Sequence, residues 1–222
     1  MHRPDTIIVS YQRSGLNWVR YCAEWFSRQR TPGHKRPIPM IMLKEKKNFL
    51  FCRSHNVNSY GPIHGTHCQF FLVNKPIFKK MIMLVRNYKE VFVRQADKRI
   101  RKLMPYFVNL QAYEDFPREK LLIYYEDLIA DFSYMEKILD FLGVRYDMEN
   151  FDVNIHARRS RKVYSSGRPV LQKCQTAANP LDFTFHSRKM KQEKKLWLDQ
   201  FYKDNYPHLF EKYGRRYEEK IE

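Results

Sequence analysis

Residues 6–20 constrain this chain more than any other stretch. Thr6-Ile7-Ile8-Val9-Ser10 leads through Tyr11, Gln12 and Arg13 into Ser14-Gly15. A helical pattern starts at once behind them, with Trp18, Cys22, Trp25 and Phe26 at helical spacing. A buried strand, a tight turn and a helix start, in that order, point unpaired N–H groups and the positive end of a helix dipole into the turn, where an anion is held. The GxxxxGK[ST] spacing of the Walker loop is absent and Gly15 is the turn's one glycine. The run therefore specifies a strand–loop–helix suited to phosphate without specifying which phosphate compound.

The rest of the chain continues in the same alternation. Thr6–Tyr11, Phe49–Cys52, Met81–Val85 and Leu121–Tyr125 read as strands, all near-continuous apolar runs of the kind buried on both faces of a parallel sheet. Asn17–Gln29, Lys89–Met104, Ser133–Leu142 and Lys189–Tyr206 read as helices, and 196–213 as an amphipathic closing helix. Arg30–Pro39 and Asn56–His67, with their Pro, Gly, Asn and His, read as loops. Strands alternating with helices predict an α/β fold: a three-layer, doubly wound architecture around a central parallel sheet, as one domain over residues 1–222. Ligands of such sheets sit beyond the carboxyl ends of the strands.

Four segments along this pattern resemble one family. Ser10-Tyr11-Gln12-Arg13-Ser14-Gly15-Leu16-Asn17-Trp18 is similar to the cofactor loop YP(K/R)SG(T/N)TW of sulfotransferases. Arg53-Ser54-His55 is similar to the family's K-T-H, Arg86-Asn87-Tyr88-Lys89-Glu90-Val91 to its R-N-P-(K/R)-(D/E)-V, and Tyr125-Glu126-Asp127-Leu128 to its Y-E-D-(L/M). The matches keep the family's order and run from about residue 6 to 143, where Phe141-Leu142-Gly143 closes a short helix. The resemblance implies a fold like that of P-loop nucleotide hydrolases. It also implies a transferase moving a sulfuryl group from 3′-phosphoadenosine 5′-phosphosulfate (PAPS) to an acceptor hydroxyl or amine, leaving 3′-phosphoadenosine 5′-phosphate (PAP).

The resemblance also distributes roles. Arg13 stands where the family's loop cation meets the oxygen bridging phosphate and sulfate; removing one such donor costs about a hundred- to a thousand-fold in rate. Ser14, Gly15, Leu16 and Asn17 supply donors to the 5′-phosphate, although Leu16 brings no hydroxyl where the family commonly has threonine. Trp18 stacks on adenine, against the plain alternative that it is helix core. His55 takes the acceptor's proton, an imidazole being suited to that near neutral pH, with His64 and His67 as rival bases and Arg53 orienting the sulfuryl group. Arg86 grips the 3′-phosphate through its bidentate fork. Arg94 stands where a serine usually shares that phosphate, and Tyr88 replaces a proline. Tyr125 contacts adenine or fills the strand-end core. Ser166, Gly167 and Arg168 stand for a late basic-glycine loop over the 3′-phosphate.

Composition bears on the alternatives. The chain has 41 Lys and Arg against 24 Asp and Glu, a formal net charge of +17, with bases gathered in 79–102, 158–173 and 188–195. Such a balance suits a funnel for an anionic cofactor and for a small-molecule or glycan acceptor, itself anionic. It also suits a non-catalytic polyanion- or nucleic-acid-binding module, yet no nucleic-acid motif accompanies it. A P-loop kinase-like phosphoryl transferase is the other alternative, set against the missing Walker spacing, with Asp127 as its one candidate Mg²⁺ carboxylate. Cys52, His55, His64, His67 and Cys68 have spacings compatible with zinc, but the family chemistry needs no metal. The four scattered cysteines, and the lack of an apolar stretch that reads as a leader or membrane anchor, predict a reduced, cytoplasmic chain with no membrane span. The dimerisation signature K-x-x-x-T-V-x-x-x-E is not present, which leaves the oligomeric state open.

Overall fold

The computed structural model describes residues 5–11, 14–27, 29, 31, 63–66, 78–94, 99–157 and 185–220, with only the backbone of Asn17 and of 63–66. Within them lies a mixed α/β arrangement on a parallel sheet. Its strands are β1 (Thr6–Ser10), β2 (Ile63–Thr66), β3 (Lys80–Val85) and β4 (Glu119–Tyr124). The spatial order is β2-β1-β3-β4, and every pairing is parallel, with Ile8 opposite Gly65 and Ile82, and Ile82 opposite Leu121. Because β2 and β3 flank β1 on opposite sides, the order of the described strands reverses at the β1–β3 pair. At such a reversal the connections leave in opposite directions and open a crevice beyond the strand carboxyl ends.

Helix α1 (Leu16–Ser27) follows β1. After β3 come α2 (Tyr88–Arg94) and α3 (Ile100–Glu114), and after β4 come α4 (Tyr125–Ala130) and α5 (Ser133–Phe141). A 3-10 turn (His186–Lys189) precedes α6 (Gln192–Asn205), and short helical turns carry the chain from Pro207 to Tyr217. Strand residues alternate between two cores, as a two-residue period requires. Ile7, Val9, Met81, Met83 and Val85 pack with Phe107, Leu110, Tyr202 and Phe210 on one face. Ile8, Ile82, Leu84 and Ile123 pack with Val19, Cys22, Ile138 and Leu139 on the other. Helices thus cover both faces of the sheet, which is why β1 and β3 read as nearly unbroken apolar runs.

Local chemistry sets several boundaries. Asn87 precedes α2 and its side chain accepts the N–H of Lys89 at 2.9 Å, the habit of a helix-capping Asn. Gly143, at φ 65°, ends α5: its N–H reaches Asp140 O at 2.9 Å and the next N–H, of Val144, reaches Leu139 O at 2.9 Å. That paired closure needs a left-handed residue, and glycine takes it without strain.

Three expectations need correction. The loop assigned to Asn56–His67 contains β2: Ile63-His64-Gly65-Thr66 is too short and polar to announce a strand, and pairing with β1 supplies what propensity does not. The single helix expected over Lys89–Met104 is two helices, since Arg99 is extended (φ −111°, ψ 118°) just before α3. Helix α3 then runs ten residues past Met104, through Pro105, to Glu114. Proline removes one N–H bond there, and burial of Tyr106, Phe107, Leu110 and Tyr113 along the same helix offsets the loss. The strand expected at Phe49–Cys52 lies outside the described residues.

Candidate functional site

Three short connections leave the carboxyl ends of β1, β3 and β4, where ligands of such sheets bind. The first is the turn between β1 and α1. The N–H of Ser14 reaches back to Tyr11 O at 3.3 Å, and Gly15 O accepts the first helical bond from Val19 at 3.1 Å. Gly15 holds φ 86°, the left-handed region where a side chain is strained. Its lack of a side chain is required twice over, because a Cβ there would lie 2.6 Å from Cδ2 of Tyr125. Helix α1 carries no acidic residue in its first turn, so no side chain of that turn neutralises the positive end of its dipole. Ser14 is 1 % exposed, and its hydroxyl has no hydrogen-bond partner. A buried hydroxyl in that state costs about 1–3 kcal/mol, which a structure tolerates where a ligand completes the bond.

The second connection is the β3–α2 link, Arg86-Asn87. Tyr106 on α3 donates its hydroxyl to Arg86 O at 2.9 Å, and Glu126 accepts the N–H of Asn87 at 3.1 Å. The backbone that carries Arg86 is therefore held from two sides. The Arg86 guanidinium is buried (3 % exposed) and lies 4.4 Å from the centroid of the Tyr125 ring, within reach of the ring's negative face. Burial pulls its pKa below the ordinary value, and the field of Tyr125 opposes that change. An arginine keeps its charge under such a shift, so a fixed cation stands at the β3 end.

The third connection joins β4 to α4 and sets three consecutive residues against neighbouring segments. Tyr125 packs between Gly15 and Arg86. Glu126 accepts from Asn87 and also, at 2.7 Å, from the Tyr217 hydroxyl. Asp127 takes a two-pronged contact from Arg216, at 2.6 and 3.0 Å. That contact is the main cause raising the Arg216 pKa above its ordinary value.

Of the residues assigned from sequence, Gly15, Arg86 and Tyr125 meet in one stack, with Ser14 beside it and Leu16 buried at the start of α1. Trp18 goes elsewhere: it stacks on Tyr21 (centroids 5.7 Å, planes 13° apart) and leans on Phe132 and Phe151 in the second core. Arg94 bonds the carboxylate of Glu90. Asn17 is in α1, and His64 sits on β2 opposite Ile7. Arg13, Arg53, His55, His67, Ser166, Gly167 and Arg168 lie outside the described residues, as do Cys52, Cys68 and Cys174. Among the described residues no group of three or more His, Cys, Asp and Glu is arranged to hold a metal, and no helix is long and apolar enough to cross a membrane.

Sequence reasoning missed the acids that hold this site. Glu90 is completely buried and accepts the N–H groups of His186 and Ser187 at 3.1 and 2.7 Å. Glu126 ties the Arg86-Asn87 link to the C-terminal turns. An acid between Lys89 and Val91 reads as ordinary helix surface, and only its burial gives it away. No protein-family model matches the chain, and no curated protein matches it.

Proposed function

We propose that the chain is a sulfotransferase that uses PAPS, on a doubly wound architecture like that of P-loop nucleotide hydrolases and in the cytoplasm. The observation that carries this reading is the Ser14–Gly15 turn: a buried hydroxyl without a partner, at a helix start without an acid, beside a buried arginine. The residues fit a nucleotide with two separate anionic ends. Ser14 and the N–H groups opening α1 face one phosphate, and the Arg86 fork suits a second. Tyr125, touching both sides, offers a ring edge to the nucleoside between them.

When bound, PAPS supplies a sulfuryl group on a phosphate leaving group. The chain's own residues then act by position and charge. His55 takes the proton of the acceptor hydroxyl or amine. Arg13, with Arg53, keeps positive charge where negative charge gathers on the leaving oxygen. Arg86 and Ser14 hold the two phosphates, and Tyr125 the nucleoside. The net charge of +17 favours an anionic small molecule or glycan as acceptor. Phosphoryl transfer on a similar scaffold would ask Asp127 to serve a metal, and that carboxylate is engaged by Arg216 instead.

Calorimetric titration with PAP beside AMP and ADP tests the reading. Binding that requires the 3′-phosphate is the expected result. Equal binding of the three, or a preference for ADP with Mg²⁺, would sink it.

A further inference from the structure

Glu90 accepts hydrogen bonds from Arg94, His186 and Ser187, and the reading above gives it no task. Its Oε1 stands 3.6 Å from a terminal nitrogen of Arg86 and bonds Nε of Arg94 one turn further on. Both oxygens also accept backbone N–H groups, from His186 at 3.1 Å and Ser187 at 2.7 Å. One buried carboxylate therefore joins the cation at the end of β3, the cation at the end of α2 and the turn that precedes α6. Burial works to raise the Glu90 pKa, and the bonds from Arg94 and Ser187 outweigh it, so the group is ionised at neutral pH.

The charges on α2 are sorted. Lys89, next in sequence, turns away and is taken up by Asp199 and Glu219. Glu90 alone among the α2 acids and bases reaches both arginines. A guanidinium reads a phosphate by direction as well as charge, because its fork must meet two oxygens at once. Fixing that direction takes contacts on more than one side: the Tyr125 ring lies against the Arg86 guanidinium, and Glu90 stands at its edge.

We propose that Glu90 is a positioning residue that aims the Arg86 guanidinium, so that the preference of the crevice for a nucleotide bearing a 3′-phosphate depends on Glu90 although Glu90 touches no part of the nucleotide. The proposal rests on the PAPS reading given above. It opposes the simpler electrostatic expectation, in which a carboxylate this near an anion site repels the ligand and its removal tightens binding.

The test is calorimetry on the full chain with PAP and AMP, for wild type, Glu90→Gln, Arg86→Ala and the double variant, with urea unfolding alongside. Glu90→Gln keeps the shape and removes the charge. The expected result is a loss of PAP affinity of roughly tenfold, an unchanged AMP affinity, and no further loss when Glu90→Gln is added to Arg86→Ala. A purely structural role would lower PAP and AMP together. Should Glu90→Gln fail to fold, Glu90→Asp, which keeps the charge on a shorter arm, is read the same way: PAP affinity falls by about threefold with AMP unchanged. Unchanged or tighter PAP binding in the variant overturns the positioning role while leaving the PAPS reading standing. A wild type that does not favour PAP over AMP removes the PAPS reading, and this proposal with it.

Discussion

Arg86 and Lys89 are three residues apart, both buried, and they finish in opposite kinds of surroundings. Lys89 enters a closed clamp. Its ammonium meets Asp199 at 2.8 Å, Glu219 at 3.2 Å and the carbonyl of Tyr217, while Asp199 also takes the Tyr88 hydroxyl and the N–H of Glu219. Three ammonium donors have three acceptors, and the acids are shared with further donors. Burial, reinforced by the bond to Asp199, pushes the Tyr88 phenol far above its ordinary pKa. This clamp ties α2 to α6 and to the C-terminal turns. Arg86 lies against the Tyr125 ring, which also keeps Gly15 bare at its left-handed φ, and beside them the Ser14 hydroxyl is buried and unbonded. Burial of polar groups has thus been settled inside the chain around Lys89, whereas the Ser14 hydroxyl is left to be completed from outside. A fully bonded polar network holds a fold together, and an incompletely bonded one marks a place for a ligand.

Substitutions separate the two regions, and the largest effect belongs to the clamp. Lys89→Met leaves Asp199 buried without its cation, while the half-buried Glu219 keeps Lys195, and the urea midpoint is expected to drop by the equivalent of about 3–5 kcal/mol. Arg86→Ala acts mainly on the ligand: loss of a bidentate, charge-assisted contact lowers PAP affinity by about a hundredfold, with AMP affinity little changed. Gly15→Ala damages both, costing about 1–2 kcal/mol in the left-handed region and further in moving the Tyr125 ring; unfolding and titration curves should shift together. Ser14→Ala divides the two readouts most cleanly. PAP affinity falls by roughly tenfold, while stability holds or rises by about 1 kcal/mol because a buried unbonded hydroxyl has gone. A fall in stability instead would mean that Ser14 belongs to the structural network.

Acid is expected to act through the carboxylates. Burial tends to raise the pKa of Glu90 and Glu219, yet hydrogen bonds from Arg94 and Ser187, and from Lys89 and Lys195, hold both below the ordinary 4.5. A group depressed in the folded state stabilises it above the unfolded pKa and loses that contribution as pH falls through the folded value. Urea midpoints should therefore be flat near neutrality and decline below about pH 4.5, with a shallower decline in Glu90→Gln.

The parallel sheet was legible because strands buried on both faces repeat apolar residues without a break, as in Met81–Val85. The stack of Gly15, Arg86 and Tyr125 was legible as well, since each residue ends or follows a strand and parallel strands bring such ends together. Strand β2 was not, because four residues including His64 and Gly65 take their conformation from pairing with β1. Arg99, extended just before α3, gives no such signal in its side chain. Trp18 carried two readings at the sequence level, and its stacking on Tyr21 ties it to the core. The acids at positions 90, 126 and 127 resemble solvated helix charges in one dimension; their partners, Ser187, Tyr217 and Arg216, lie roughly ninety residues away and appear only when the chain is folded.

Crystallography of the chain with PAP tests the central claim most directly. The account predicts the 5′-phosphate within hydrogen-bond distance of the Ser14 hydroxyl at the start of α1 and the 3′-phosphate on the Arg86 guanidinium. A nucleotide bound elsewhere, or one lodged in the crevice with Ser14 still unbonded, would contradict it.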